Sequence, residues 1–218
     1  MHPALRSAAL IFQARLRDEP VTPASFASAL AEIPVADRDQ WLDCLWDIDE
    51  IPADDPELPR GCVPYIPCDV ATVLDAAQLV GLSGNDVFVD VGSGAGRAAL
   101  LAHLTSGAAC VGLDIQPSLV RTAQQRADKL KLSRVRFLQG DAAESIRSIA
   151  IGTVFFLYCP FNGDRLRRFL SGLEEVARRQ PIRVCCVDMP ALELAWLTRV
   201  PSSSLRIDVY RSSTVTAW

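Results

Sequence analysis

The chain is poor in several of the residues that mark common functional classes. Only two histidines, His2 and His103, occur in 218 residues, and none of the seven cysteines forms a Cys-x-x-Cys pair. Zinc and other structural metal sites draw on such clusters, so no metal site is expected. The odd cysteine count with no paired spacing reads as reduced thiols in a cytoplasmic protein rather than a disulfide framework. There is no uninterrupted apolar run of about 18 residues, which excludes a spanning helix and a membrane partner. Positive charge is also in deficit. Twenty-two basic against 26 acidic residues leave a net charge of −4, the wrong sign for a generic nucleic-acid binder. Repeats and low-complexity segments are absent. Half of the residues are hydrophobic, enough for a full core, and the length exceeds one ordinary domain by some tens of residues.

The surplus lies at the N-terminus. Residues 1–60 read as helices only. Leu5, Ala8, Ala9, Phe12 and Leu16 recur at helical spacing, so the three arginines of residues 1–17 sit on an ordinary amphipathic helix rather than a transit peptide. Thr22-Pro23 marks a second helix start, with a capping hydroxyl and proline at the first helical position. A third helix is expected over 36–48, with Trp41, Leu42, Leu45 and Trp46 on one side. The stretch 51–61 holds several prolines and a glycine and reads as a linker. The division expected is therefore a helical cap or substrate-selection segment over 1–60 and a second unit over 61–218.

From about residue 69 strands and helices alternate. Strands are expected at 87–91, 109–113, 135–138, 154–158 and 184–187, and helices at 96–105, 117–131, 142–149, 163–179 and 190–197. The tail adds an antiparallel pair, 205–210 with 214–218. Such alternation gives an α/β fold: a doubly wound, mostly parallel, seven-stranded sheet with helices on both faces, here with the N-terminal helical segment added.

The chemistry concentrates in Asp90-Val91-Gly92-Ser93-Gly94-Ala95-Gly96-Arg97, which leaves the first strand and enters a helix. Ligands of open parallel sheets bind beyond the carboxyl ends of strands near the topological switch point. A dinucleotide site calls for Gly-x-Gly-x-x-Gly, but the third glycine would fall on Arg97. The observed Gly-x-Gly-x-Gly follows an acid, Asp90. That acid would repel a pyrophosphate and attract a cationic ligand.

The run Val87–Val91 with the loop Gly92 to Arg97 resembles the first motif of class I, seven-strand methyltransferases that use S-adenosylmethionine, and the likeness extends over about residues 62–218. It implies that Gly92, Ser93, Gly94 and Gly96 pack against the methionine part of this cofactor, with Asp90 near its amino group. Asp114, ending the second strand, becomes the ribose ligand, and Ile115 a contact of adenine. Asp141, after Gly140 at the end of the third strand, becomes the partner of the adenine amino group, with Ala142 beside it. Alone, each acid is equally a helix cap. The resemblance has departures. Ala95 stands where the close variant of the motif has Asp. Tyr65-x-Pro67 is similar to an element of non-SET lysine methyltransferases that folds over the cofactor, but Cys68 replaces its hydroxyl residue; a tyrosine packed in a proline-rich linker is the other reading.

After the fourth strand come Tyr158-Cys159-Pro160-Phe161, where amine and amide methyltransferases carry Asn-Pro-Pro-Tyr or Asn-Pro-Phe. Cys159 replaces the Asn, which disfavours base or glutamine amides. Tyr158, Cys159 and Phe161 are the candidates for positioning the acceptor, with packing as the alternative for both aromatics. No histidine is placed to activate Cys159. Asp188 reads as an acceptor contact or as the cap of the helix 190–197. Residues 37–57 hold nine acids and one base. If they lie at the pocket mouth they attract a basic acceptor, a protein lysine or a small basic amine; otherwise they are a solvated face. The activity expected is N-methylation of such an amine. The alternatives are a cofactor-binding protein without turnover and, more remotely, an NAD-dependent enzyme.

Overall fold

The structure, a computed structural model, describes residues 3–19, 21–46 and 52–213. Three helices open the chain: α1 (Pro3–Asp18), α2 (Pro23–Ala31) and α3 (Arg38–Leu45). Thr22 caps α2 as its sequence suggests. Its hydroxyl accepts from the Ser25 amide, and Ser25 Oγ accepts from the Thr22 amide in return, a reciprocal capping box. The three apolar stripes meet in an aromatic cluster, with Phe12 5.8 Å from Phe26 and 5.7 Å from Trp41.

The remaining elements alternate: α4 (Val70–Val80), β1 (Val87–Val91), α5 (Arg97–Ser106), β2 (Ala109–Asp114), α6 (Pro117–Lys129), β3 (Val135–Gln139), β4 (Val154–Tyr158), α7 (Gly163–Ala177), β5 (Arg183–Val187), β6 (Leu197–Val200) and β7 (Ile207–Ser212). The seven strands form one sheet in the order β3-β2-β1-β4-β5-β7-β6. The first five are parallel, and β7 runs antiparallel to both neighbours. The order reverses beside β1, so the carboxyl ends of β1, β2 and β4 frame the crevice in which such sheets bind ligands. Asp90 of β1 lies in register with Gly112 of β2 and Phe156 of β4.

Two expectations are corrected. The helix at 190–197 does not form. Leu192, Leu194 and Trp196 pack on the α7 face of the sheet, and the segment reaches β6 through a turn closed by the Leu197 amide on the Leu194 carbonyl at 3.0 Å. β7 pairs with β6 upstream of it; the expected partner strand, 214–218, lies outside the described residues. The helix at 142–149 is reduced to a single 3-10 turn, Ile146–Ile149.

Two apolar layers flank the sheet. One joins α4, α5 and α6 to α1–α3; the other gathers α7, the 3-10 turn and the 192–197 stretch. The first layer is fastened by a buried cation. Arg97, in the first turn of α5, pairs with Asp39 and Asp43 of α3, and its guanidinium lies 6.0 Å from the Trp46 ring centroid. Two members of the acidic run thereby meet a buried cation, while Asp39 and Asp43 keep 47% and 35% of their side-chain surface exposed. Removing Arg97 leaves no buried charge behind; it costs the packing of its stem and guanidinium and two half-solvated pairs. Arg97→Ala is expected to lower the unfolding free energy by about 1 to 2 kcal/mol in urea denaturation, by that reasoning. A loss indistinguishable from zero would show that the contact contributes nothing to stability.

Candidate active site

The carboxyl ends of the central strands surround a cavity of about 280 Å³. Gly92 brings the glycine loop to its wall. Gly92 and Gly94 adopt left-handed backbone, with φ of 77° and 51°. Both also need the missing side chain for packing. A Cβ on Gly92 would lie 2.6 Å from Pro160, and one on Gly94 would lie 2.0 Å from the Tyr65 ring. Both glycines admit neighbouring segments of the chain, and Gly92 also faces the cavity.

The loop is held to β2. The amides of Gly92 and Ser93 donate to the Leu113 carbonyl at 2.8 and 3.1 Å, and the Gly94 amide donates to Asp114 Oδ2 at 2.7 Å. The other carboxylate oxygen of Asp114 accepts the Gln116 amide at 2.8 Å. Asp114 is thus oriented by the backbone, while burial moves its pKa upward against those bonds. Asp90 is 3% exposed and accepts one bond, from the Ala99 amide at 3.2 Å. Burial pushes its pKa up to about 7. Asp141 accepts the Ala143 amide at Oδ1, 3.0 Å, and an ion-pair hydrogen bond from Arg165 at Oδ2. The three acids therefore stand at the ends of β1, β2 and β3, and Asp114, Ile115, Asp141 and Ala142 line the cavity together. Asp90 and Ser93 line a smaller adjoining cavity of about 20 Å³ with Arg97, Tyr65 and Tyr158. There Ser93 Oγ and Arg97 Nε are buried without a hydrogen-bond partner among the described residues. Gly94 and Gly96 line neither cavity; Gly94 lies under the Tyr65 ring, and Gly96 against Phe137 and Ala123.

The expected linker is a wall of the site. Residues 52–69 lie as a strap along the strand ends, and Leu58 and residues 62–66 line the cavity. Gln116 fastens one end, accepting the Asp55 amide at 2.7 Å and donating to Asp54 at 2.7 Å. Asp54 also accepts the Tyr65 amide at 2.9 Å. Further along, the Val63 amide donates to Pro160 and the Asn162 amide to Gly61, at 3.2 and 2.9 Å. Tyr65 thus touches both cavities and rests on the glycine loop, with its hydroxyl pushed up to about 12 by burial. None of the described acids of the acidic run lines the cavity. Asp39 and Asp43 hold Arg97, and Asp54 holds the strap; Asp47, Asp49 and Glu50 lie outside the described residues.

Opposite the strap are the ends of β4 and β5. Cys159 and Asp188 are non-glycine residues in left-handed backbone, with φ of 39° and 51°, and the Cys159 thiol donates to the Asp188 carbonyl at 3.4 Å. Such conformations persist where surrounding bonds over-determine them, and they cluster at functional sites. Here the surrounding bonds come from Arg206. Its carbonyl accepts the Asp188 amide at 2.9 Å, and its guanidinium grips the Asp188 carboxylate at 2.6 and 3.0 Å and reaches Asp69 at 3.3 Å. Asp188 therefore caps no helix. Arg206 holds its carboxyl below the usual carboxylate range. Tyr158 and Cys159 line the cavity with Asp188. Phe161 does so with one edge, but it is buried and packs edge-on to Phe169 at 5.5 Å, so core packing is its main role.

Sequence reasoning missed Arg165 and Arg206. Arg165 has a faint signal, standing just inside α7 behind Pro160-Phe161; Arg206 has none, because the β5–β7 pairing that delivers it skips β6. Among the described residues, no group of three or more metal-binding side chains gathers, and no helix is long and apolar enough to cross a membrane.

Asp90 gives this site a pH signature. Its pKa is higher in the folded state than the 3.8 of an ordinary Asp, so between about pH 4 and 7 the native state keeps a proton that the unfolded chain has released. Its contribution to stability is complete below pH 4 and fades as pH rises through 7. Asp90→Asn is expected to flatten the decline in urea-unfolding free energy between pH 5 and pH 8. An identical decline in the variant and the wild type would contradict the assignment.

Comparison with known proteins agrees with this geometry. A family model described as a methyltransferase domain matches residues 82–151, the stretch from β1 through β3 and its following turn. An RNA methyltransferase from Salinibacter ruber, crystallised with S-adenosyl-L-homocysteine, is 27% identical, with a TM-score of 0.54, covering 70% of this chain and 96% of that one. A precorrin-6y C5,15-methyltransferase from Geobacter metallireducens, 12% identical with a TM-score of 0.50 over 74% of this chain and 96% of that one, shares the fold. The search of curated proteins returned no significant match. With the strand order, the glycine loop and the acids at three consecutive strand ends, these likenesses show a methyltransferase domain over residues 82–151 and an enzyme similar to the class I S-adenosylmethionine-dependent methyltransferases.

Proposed function

We propose that this enzyme methylates the nitrogen of a basic amine, a protein lysine or a small basic metabolite. The observation that carries the reading is the acidic and aromatic wall opposite the cofactor loop: Tyr158, Cys159 and Asp188 at the ends of β4 and β5. Bound S-adenosylmethionine supplies an electrophilic methyl group on a cationic sulfonium. Residues of this chain fit that molecule. The Gly94 and Gln116 amides hold separate oxygens of Asp114, and the carboxylate keeps acceptor capacity for the ribose hydroxyls. Asp90 stands for the amino group, and the unpartnered Ser93 Oγ and Arg97 Nε offer donors for the carboxylate. Gly92, Gly94 and Gly96 keep the loop free of side chains, Ile115 and Ala142 supply the apolar walls for the base, and Asp141 accepts from its amino group.

On the acceptor side, the strap with Tyr65 and the ring of Tyr158 exclude water. The backbone carbonyl of Cys159, turned by its left-handed conformation, is an acceptor for an amine N–H, and Asp188 favours a positive charge growing on the nitrogen. Arg206 keeps Asp188 charged, so it orients the amine by charge and does not take its proton. Phe161 contributes its edge to the channel. Acceptor selection falls to the last part of the 1–60 segment and the strap that follows it, since Leu58 reaches the cavity whereas α1–α3 brace the α4–α5 layer.

An RNA acceptor is the second reading, favoured by the 27% likeness to the Salinibacter RNA methyltransferase. Transfer of tritiated methyl from S-adenosylmethionine into a fractionated lysate separates the two. Label in protein or in small cationic amines is expected. RNase-sensitive label would overturn the amine reading, and no label in any fraction would favour a binding protein without turnover. Cofactor placement has its own test. Asp114→Ala is expected to weaken S-adenosylmethionine more than tenfold in calorimetry, about 1.4 kcal/mol or more, and NAD should give no heat with either protein. Unchanged affinity would refute the ribose assignment.

A further inference from the structure

We infer that Arg165 is a positioning residue for nucleobase selection: it fixes the plane of the Asp141 carboxylate so that an acceptor-only edge faces the cavity. The inference rests on the proposed placement of the base beside Asp141. Arg165 comes from the first turn of α7 and is 9% exposed. It reaches across the site to Asp141 at the end of β3, and both residues line the same cavity.

A lone carboxylate after a strand turns about its own side-chain bonds. This one is held at both oxygens. Oδ1 accepts from the Ala143 amide at 3.0 Å and Oδ2 from Arg165, while the Asp141 carbonyl accepts the amides of Glu144 and Ser145 at 3.0 and 2.8 Å. Backbone and carboxylate plane are therefore both set. Each oxygen retains one lone pair, and neither carries a hydrogen. Such an edge receives the 6-amino group of adenine. It opposes the 6-keto oxygen of hypoxanthine, which has no hydrogen to donate. A site built around a hydrogen bond rejects the analogue that cannot make it far better than an apolar pocket does.

The pair is a poor device for stability. Arg165 Nε is buried without a partner among the described residues, and desolvated ion pairs gain little over apolar packing. It is a good device for orientation. It also ties the base end of the cavity to the acceptor end, since Arg165 packs beside Gly61 of the strap and follows the Pro160-Phe161 loop on α7.

The test measures binding of S-adenosylhomocysteine and S-inosylhomocysteine by calorimetry to wild type, Arg165→Leu, Arg165→Lys and Asp141→Asn, with thermal melts to confirm folding. The wild type is expected to prefer the adenosyl compound by about 100-fold. Arg165→Leu should cut that ratio to below about tenfold, Arg165→Lys should restore part of it, and Asp141→Asn, whose amide can donate to a keto group, should bring the ratio near one. If Arg165→Leu weakens both ligands equally and leaves the ratio intact, Arg165 has only a structural role and the inference fails. Should that variant not fold, the lysine variant decides: it retains a donor of different reach, and a ratio equal to wild type would overturn the need for the fixed plane. No preference in the wild type would instead refute the placement of the base at Asp141.

Discussion

The hydrogen bond from the Gly94 amide to Asp114 joins the two halves on which the site depends. It ties the loop after β1 to the end of β2 across 20 residues of sequence. With the bonds from Gly92 and Ser93 to Leu113, it fixes where α5 begins and which way the Asp114 carboxylate faces. Only a backbone with left-handed residues can turn its amides toward β2 there, which is why the loop is built of glycine. The parallel sheet supplies the rest: reversal of strand order at β1 brings the ends of β2, β3, β4 and β5 around one crevice.

A second layer of bonds closes that crevice from above. The strap has little regular structure and no apolar face of its own, yet it is fastened to the β2 end through Gln116 and to the β4 end through Pro160 and Asn162. Its tyrosine then seats against Gly94. The strap therefore senses the same loop that orients Asp114, and the cofactor and acceptor sides share one wall. Arg206 and Arg165 perform the corresponding work on the other side. Each carries a guanidinium to an acid that a strand end alone would leave free to turn. The N-terminal helices join this scheme through Arg97, whose charge is met by α3 directly behind the glycine loop.

Much of this was legible in the sequence because short-range patterns decide it. The β-branched run 87–91, the glycine loop, and acids at the ends of three successive strands each rest on residues adjacent in the chain. What was illegible rests on long-range contacts or on a wrong period. Leu192, Leu194 and Trp196 alternate, but the preceding Asp188 and Pro190 imitate a helix start, and the non-helical path appears only once the core beneath it exists. Three prolines made 51–61 look like a spacer, since composition does not show that Asp54 and Gln116, 62 residues apart, meet. The acidic run showed its charge but not its partner. Arg97 lies 54 residues from Asp43, and only the packing of α3 on the glycine-loop face brings them together.

The central claim is that the strap, the glycine loop and the strand-end acids form one cofactor site. A crystal structure of the protein with S-adenosylhomocysteine tests it most directly. The account predicts ribose hydroxyls on Asp114, the adenine beside Asp141, and the amino-acid end over Gly92 and Ser93 toward Asp90. A nucleoside bound away from Asp114, or a ligand seated outside the strap, would contradict it.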